Sequence, residues 1–363
     1  MPPPQIFSLD GHAFGLTLSG VQIIEHVPTD IAPIRWTWPS ATDNGDITFT
    51  IEYQGEFSII RGMVIRLTDN VDNDILWSGV VTSTDESRGV GPWRRVTVTG
   101  TGWNFYLDNR VVDDWTSTAY TGFAIWDVLQ YAGVVIAGAV GTDHFTDNIN
   151  QGIVGGTATA QRTSVRSAID AILDAAPNRE LYNPQPYFVD NERVFHYEIQ
   201  ASELRKHAGI GTATSIGDQG ALAPEYLNVS SGHENYKGFA YVYDTGGTAL
   251  GIAGAYAGSG WELAPPSVDW TTEYGTGDWD QLVPSGLRRQ YGSVSSITFS
   301  TIEDSSFRPH QQITLDDSAL TGGTAWTLYI DSVSGTIDER NVIEVEVAIG
   351  ARSRSIVQTV ASM

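Results

Sequence analysis

Residues 69–74 hold the densest run of oxygen ligands in the chain. They read Asp-Asn-Val-Asp-Asn-Asp, and Ca²⁺ prefers such ligands. An EF-hand loop, however, needs a glycine at its sixth position and a glutamate at its twelfth. The sixth position counted from Asp69 is Asp74, and counted from Asp72 it is Trp77. A solvated turn between two strands is the better interpretation of this segment.

Other catalytic and metal-binding patterns are weaker still. Asp143, His144 and Asp147 have no second histidine nearby at ligand spacing, which favours a polar loop. The absence of cysteine excludes disulfides, thiolate zinc sites and cysteine nucleophiles. No serine elbow, P-loop or dinucleotide fingerprint occurs. We therefore expect no catalytic residue, no metal and no cofactor, and a protein that is not an enzyme.

Tryptophan is unusually frequent, with 11 residues. Trp36 and Trp38 are two positions apart, so they share one face of a strand. Trp261, Trp270 and Trp279 recur at equal spacing in an acidic, glycine-bearing stretch. Most tryptophans fill β cores, but an exposed indole can stack on a sugar or fill a partner's pocket. Trp270 and Trp279, which we expect on loops, are the interaction candidates.

Most of the sequence has the pattern of β-strands. The 38 glycines and 15 prolines separate short runs rich in Val, Ile, Thr, Tyr and Trp. Apolar and polar residues alternate at 47–51, 96–99 and 342–347. Such alternation places one face in a core and the other in water. The fold class we predict is mainly β.

Two segments in the middle third have helical spacing instead. Val165, Ala168, Ile169, Ile172, Leu173 and Ala176 follow a hydroxyl cap at Thr163 or Ser164 and precede Pro177. A shorter helix is predicted from about Thr121, with Gly133 ending it. The loop from Thr245 to Gly260 is rich in glycine and alanine, and we expect it to be mobile.

The order is therefore β-rich, mixed, then β-rich. We predict a barrel-like β domain over 1–104, an α/β domain over 105–205 and a second barrel-like β domain over 206–363. Both β domains contain a strand, a turn, a tryptophan-bearing strand with Trp77 or Trp326, an acidic turn and another strand. This favours an internal duplication, although a generic meander is the alternative.

The formal net charge of −23 argues against nucleic-acid binding, because an acidic body repels phosphates at long range. No apolar run approaches the ~18 residues of a membrane helix. The start, Met-Pro-Pro-Pro-Gln, lacks the basic and apolar regions of a secretory signal. We expect a protein made in a cytoplasm.

Several weak motifs together resemble the tail hub proteins of long-tailed bacteriophages. Segments 76–81 and 96–100 resemble the strands that precede the family's "leu-asp-x-arg-x-val" segment, matched here at 106–112, and a helix like 122–132 comes next. Segment 224–229 resembles the start of the second barrel-like domain. Segment 307–314 resembles the strand that opens the last sheet, except that His310 stands where glycine is usual. The resemblance spans most of residues 45–350.

This resemblance implies two barrel-like domains related to tail-tube subunits, flanking a smaller α/β domain. Asp108 and Arg110 would then be structural and would close the first domain onto the second. It implies a homotrimer whose two barrels per chain meet a hexameric tail tube or distal tail protein. The tape-measure protein and DNA would pass through the ring, and receptor-binding tail proteins or host glycan would be further partners. The expected location is the virion tail tip.

Two alternatives remain open from the residues alone. A carbohydrate-binding, lectin-like β protein is favoured by the tryptophans and disfavoured by the missing signal sequence. A tail-associated polysaccharide-degrading enzyme would need a pair of carboxylates in a cleft. With 43 acidic residues, counting does not exclude such a pair, because the required separation is spatial.

Overall fold

The computed structural model describes most of the chain between residues 6 and 349. The described residues are 6–7, 13–18, 21–22, 33–38, 44–54, 59–69, 74–88, 93–134, 146–176, 187–199, 212–218, 220, 226–232, 239–244, 246–254, 267–271, 294–301, 307–318, 325–338 and 343–349. The fold is mostly β, as the alternating patterns predict, and its main element is a 14-stranded sheet.

The first β block contributes eight strands to this sheet. They are β1 (Ile6–Phe7), β2 (Ala13–Leu18), β3 (Val21–Gln22), β4 (Ile34–Trp38), β5 (Asp46–Gln54), β6 (Val64–Asp69), β7 (Asp74–Arg88) and β8 (Trp93–Gly102). The spatial order runs β1-β2-β6-β7-β8-β5-β4. Strand β6 ends at Asp69, and its antiparallel neighbour β7 begins at Asp74. The acidic run therefore joins two strands, as predicted. Residues 70–73 lie outside the described residues.

The middle segment holds the helices. Its elements are α1 (Phe105–Asn109), β9 (Val111–Val112), β10 (Trp115–Ser117), α2 (Thr121–Tyr131), β11 (Thr146–Ile149), β12 (Ala158–Ala160), β13 (Thr163–Ser164), α3 (Val165–Asp174), β14 (Tyr187–Val189) and β15 (Val194–Tyr197). Both predicted helices are confirmed. The Ser164 hydroxyl accepts a hydrogen bond from the backbone N–H of Ser167 at 3.2 Å, which caps α3. Gly133 follows α2 with a φ of 66°.

The apolar stripe of α3 is buried throughout, which explains why its periodicity was visible in the sequence. It packs with α2 and β14–β15 into a second hydrophobic core, which also includes Val80 of β7 in the 14-stranded sheet. The short helix α1 was not predicted, since five residues carry too little periodicity to be recognised.

The third block returns to strands. They are β16 (Thr212–Ile216), β17 (Tyr226–Gly232), β18 (Phe239–Tyr243), β19 (Ala249–Gly254), β20 (Ser267–Thr271), β21 (Val294–Thr301), β22 (Gln312–Leu315), β23 (Trp326–Ile337) and β24 (Ile343–Ile349). Strands β18, β19 and β20 form a separate small sheet. The glycine- and alanine-rich segment is therefore not a continuous loop, because residues 249–254 pair with β18 as a strand. Residues 245 and 255–260 lie outside the described residues.

Five strands of the first block have counterparts in the third. The first block contains the order β6-β7-β8-β5-β4, and the third contains β22-β23-β24-β21-β17. Each adjacent pair is antiparallel in both sets. We call these five-strand sets repeat 1 and repeat 2. The predicted similarity of the two β blocks is confirmed in their strand order.

The hydrogen-bonded register agrees as well. In repeat 1, Phe49 lies opposite Val98 on β8. In repeat 2, Phe299 lies opposite Val347 on β24. In their pairing with β8 and β24, the long strands β7 and β23 each shift register once, at 81/83 and at 330/332. A generic meander does not require the same irregularity at the same place, so the two repeats have one architecture.

The repeats are joined edge to edge. Strand β4 of repeat 1 pairs antiparallel with residues 333–337 of β23 in repeat 2, which makes the sheet continuous. One hydrophobic core contains buried side chains from both repeats, including Phe49 and Phe299. The predicted boundary near 104 falls between β8 and α1, whereas the one near 205 lies outside the described residues. The exact domain limits remain a prediction.

Candidate functional site

The junction between the repeats is built around one tryptophan and one glycine. Trp36 on β4 lies directly opposite Gly335 on β23 and is only 3% exposed. A Cβ atom at Gly335 would come within 2.0 Å of the indole ring. Glycine is therefore the residue that lets the indole lie flat across the neighbouring strand. Trp77 supports the same edge, since its Nε1 donates to the backbone oxygen of Thr37 at 3.1 Å.

A second contact ties the sheet to the α/β segment through Asp108. The Arg166 guanidinium on α3 contacts the Asp108 carboxylate through Nε and Nη2, the latter at 3.0 Å. Asn44, which precedes β5, donates from Nδ2 to the same carboxylate at 3.0 Å. The Arg166 side chain is 16% exposed and that of Asp108 is 35% exposed. Asp108 thus connects residues on both sides of the domain junction.

The charges at this contact stabilise each other. Partial burial opposes ionisation of Asp108, but the hydrogen bonds from Arg166 and Asn44 outweigh it and lower its pKa below the ordinary value. Burial likewise opposes the charged form of Arg166, and Asp108 more than compensates, so the pKa of Arg166 is raised. The pair is ionised at neutral pH and acts as a charge-assisted hydrogen bond.

Arg110 has a different environment from the one expected. Its side chain is exposed, and the guanidinium that contacts Asp108 belongs to Arg166. The backbone of Arg110 does contribute, because its carbonyl oxygen accepts from the N–H of Val165 at 3.0 Å. Among the described contacts, the guanidinium that pairs with Asp108 is therefore that of Arg166. Sequence spacing missed Arg166 because its 58-residue separation from Asp108 is closed only by the fold.

A buried polar cluster forms the third contact between the sheet and the α/β segment. Ser78 on β7 donates its hydroxyl to the backbone oxygen of Asn191, whose Oδ1 accepts from the Ser78 N–H at 3.1 Å. Trp103 Nε1 donates to the Ser78 hydroxyl at 2.6 Å. The guanidinium of Arg193 lies 4.2 Å from the centre of the Trp103 ring. Removing one of these groups would leave the others buried without a hydrogen-bond partner.

The backbone conformation of His310 shows why the resembled motif usually has glycine at this position. Its φ is 68°, in the left-handed region where glycine is favoured. Its counterpart in repeat 1 is Gly62, whose φ is 90°. The two residues correspond because each donates its backbone N–H to the long strand of its own repeat. Gly62 donates to the backbone oxygen of Val81 at 2.9 Å, and His310 donates to that of Ile330 at 2.8 Å. The imidazole of His310 stacks on a phenyl ring of the α/β segment, that of Phe188, at 4.1 Å between centroids.

The tryptophan candidates have different outcomes. Trp270 lies in strand β20, opposite Val242, and not on a loop as expected. Trp279 lies outside the described residues. The tryptophans whose burial is described are largely internal, with Trp36, Trp77, Trp103 and Trp115 all at most 5% exposed. These four therefore serve the cores and do not form a sugar-stacking surface.

Among the described ranges, no cluster of three His, Asp or Glu residues has the geometry to hold a metal ion. No helix in the same ranges is long and apolar enough to cross a membrane. Asp143 and His144 lie outside those ranges. The contacts described above join neighbouring strands of the sheet, and they join the sheet to the α/β segment.

Comparisons with known proteins bear on the fold. No protein-family model matches the chain. No curated protein matches it by sequence. Solved structures do match over nearly the whole length. A tail protein from Neisseria meningitidis is similar with a TM-score of 0.60 at 10% identity, covering 94% of this chain and 96% of that one.

Two prophage proteins give the same result. The 43 kDa tail protein of prophage MuSo2 from Shewanella oneidensis has a TM-score of 0.61 at 12% identity, with coverage of 93% and 97%. The prophage tail protein gp18 from Listeria monocytogenes has a TM-score of 0.54 at 11% identity, with coverage of 96% and 97%. The chain therefore has the fold of phage tail proteins, as the sequence motifs suggested.

Proposed function

We propose that this chain is a structural subunit of the tail tip of a long-tailed phage, the hub that joins the tail tube or distal tail protein to the host-recognition apparatus. The observation that carries this proposal is the pair of repeats joined edge to edge through β4 and β23. Full-length likeness to tail proteins at TM-scores of 0.60 and 0.61 supports the tail assignment.

The duplicated architecture suits a hub. A tube with six-fold symmetry presents six equivalent surfaces, and three chains with two repeats each offer six matching ones. In this proposal the chain forms a homotrimer, and the ring surrounds the path taken by the tape-measure protein and DNA. Assembly would occur in the host cytoplasm, and the finished ring would be part of the virion.

The role is mechanical and not enzymatic in this proposal. The described polar clusters, Asp108 with Arg166 and Ser78 with Asn191, lie between layers and have protein partners at hydrogen-bonding distance. Polar and charged groups that are paired in this way hold the sheet and the α/β segment together. They are poorly placed to attack a substrate. Receptor-binding tail proteins or host glycans would be further partners of the hub.

Native mass measurement tests the proposal. Purified protein at high concentration, or tail tips isolated intact, should contain three copies of the chain. The expected mass is three times the 39.4 kDa of one chain. Six or twelve copies would contradict the hub and would favour a distal tail or tube protein.

A further inference from the structure

The outer face of helix α2 differs from that of α3, the other long helix of the α/β segment. On α3 the exposed positions are polar, namely Ser167, Asp170 and Asp174. On α2 they include Phe123 and Tyr131, which are 56% and 55% exposed. A helix at the surface of a globular protein ordinarily turns polar and charged residues to the solvent. The aromatic outer face of α2 therefore indicates a surface that a partner covers.

The exposed residues of α2 form a single stripe. Phe123, Asp127 and Tyr131 are four residues apart in turn, so they lie on one side of the helix. At a rise of 1.5 Å per residue, the two aromatic positions are about 12 Å apart along the helix axis, with the carboxylate position between them. We call these three residues the α2 stripe.

Further apolar side chains widen the α2 stripe at its N-terminal end. Tyr120 packs edge to face with Phe123, at 6.5 Å between ring centroids. Val154, also exposed, lies beside the first turn of α2, because the neighbouring Ile153 exchanges hydrogen bonds of 2.9 and 3.1 Å with Thr121. Three half-exposed aromatic side chains leave on the order of 300 Å² of ring surface in solvent. Exposed apolar patches of this size commonly mark interaction sites.

Two hydrogen bonds hold the α2 stripe in place. Trp115 donates from Nε1 to Oδ2 of Asp127 at 2.7 Å. The Tyr131 hydroxyl donates to the backbone oxygen of Asp113. Both side chains of the stripe nevertheless remain exposed. A surface ordered before binding loses less conformational entropy when a partner arrives.

The charge around the α2 stripe is negative. Residues 111–134 and 146–161, which include α2 and the segment beside its first turn, contain four Asp and no Lys, Arg or Glu. Arg110 and Arg162 flank these segments, and Arg162 lies 3.7 Å from Asp113. Among the described contacts, Asp114 and Asp127 have no such basic neighbour. An acidic surface repels anionic lipid and nucleic acid and attracts cations.

We propose that the α2 stripe binds a basic, apolar helix of a second protein. An arginine or lysine of that helix would contact Asp127, and apolar side chains would cover Phe123 and Tyr131. Charge complementarity selects this occupant, since arginine forms paired hydrogen bonds with a carboxylate and a cation is attracted to an aromatic face. Apolar residues four positions before and after the basic one match the spacing of the stripe.

This inference goes beyond the hub, because it does not depend on the number of copies in the tail. Fluorescence anisotropy with labelled peptides tests it on the full-length chain. The first probe is an alanine-rich helix with leucine, arginine and leucine at four-residue intervals, which places all three on one face. The second probe has glutamate in place of the arginine. The chain should bind the arginine probe at least about tenfold more tightly, as expected for one charge-assisted hydrogen bond.

Three variants locate the binding on the α2 stripe. Phe123→Ser removes one ring and should weaken binding of the arginine probe about tenfold. Asp127→Lys should reverse the preference, so that the glutamate probe binds more tightly. Asp174→Lys makes the same charge change on the exposed side of α3 and should leave the preference for the arginine probe unchanged.

Thermal melts show whether each variant is folded. Asp127 also accepts from Trp115, so Asp127→Lys has a substitute in Asp127→Asn, which keeps an acceptor for the indole. Asp127→Asn should weaken binding of the arginine probe and leave that of the glutamate probe unchanged or stronger, because it removes only the charge.

Several outcomes would overturn the proposal. They are equal affinity for the two probes, no binding of the arginine probe, and binding that Phe123→Ser leaves intact. Self-association that Phe123→Ser abolishes would assign the stripe to a second copy of the chain. Binding of a labelled neutral oligosaccharide, lost in the same variant, would assign it to a glycan. Either result would also overturn the proposal, whereas a three-copy mass that persists in Phe123→Ser would leave the hub standing.

Discussion

At the residue scale, Asp108 shows how a correct position can have an unexpected partner. The motif resemblance indicated that Asp108 closes one domain onto the next, and its contacts with Asn44 and Arg166 lie on both sides of that junction. Arg110 was expected to act beside Asp108 because the resembled motif contains both residues. Arg166 fulfils that role because α3 packs against α1.

The Arg166 contact predicts a difference between two arginines of the same chain. Arg166→Ala should lower the free energy of unfolding by about 1–2 kcal/mol, because it removes a charge-assisted hydrogen bond and the packing of a largely buried side chain. Arg110→Ala should change it by less than about 0.5 kcal/mol, as is usual for an exposed position. Urea denaturation of both variants measures the difference. Equal effects would show that Arg166 contributes no more than surface charge.

At the element scale, the two longer helices, α2 and α3, were predictable and the sheet order was not. The apolar stripe of α3, its Ser164 cap and the glycine after α2 are local signals within a few turns. Alternation likewise identified individual strands. Which strands become neighbours depends on contacts far apart in the chain. Nothing local to Trp36 indicates that Gly335 will lie opposite it, although a glycine inside a strand pattern does indicate close approach of a neighbour.

The assignment of Trp270 to a loop failed for a related reason. The surrounding stretch is rich in glycine and acidic residues, which favours loops by composition. Pairing with β18 nevertheless makes residues 267–271 a strand. Tertiary pairing outweighs local propensity most easily for short strands, because a few interstrand hydrogen bonds decide their state.

The junction of the repeats predicts the effect of a single methyl group. Gly335→Ala should lower the free energy of unfolding by about 1–3 kcal/mol, because the added Cβ overlaps the Trp36 ring and the core cannot easily move. Gly102→Ala is the matched control, also in a strand, where a Cβ would make an ordinary 3.4 Å contact. That variant should change stability by less than about 1 kcal/mol. Chemical denaturation followed by tryptophan fluorescence reports on both.

At the scale of the whole molecule, the polar face of the large sheet is the surface to consider for a conduit. We define this face by exposed residues that alternate with the core, namely Arg35, Thr37, Asp46, Thr48, Arg66, Arg95, Glu344 and Glu346. The carboxylates of this described surface repel phosphates, whereas its arginines attract them. The formal charge of −23 of the whole chain adds to the repulsion.

Charge reversal on this face should make the assembled protein retain DNA. Glu346→Lys places a cation in the polar face, and we expect DNA binding at low salt that weakens as salt rises, because each phosphate contact releases counterions. Glu192→Lys is the charge-matched control on an exposed turn of the α/β segment. Fluorescence anisotropy with labelled duplex DNA compares the two. DNA binding by the unchanged protein, or equal binding by both variants, would show that this face does not line a conduit.

The pairing of β4 with β23 also has a consequence for the order in which the chain is made. About 300 residues separate the two strands, so at ~5–20 residues per second the ribosome needs roughly 15–60 s to supply the partner of β4 after β4 itself has emerged. During that interval the strand has an unsatisfied edge, on a nascent chain that lies beside other nascent chains of one polysome. We expect early strand exchange between neighbouring nascent chains to be the main route to misassembly, and slower synthesis of the third block to increase it.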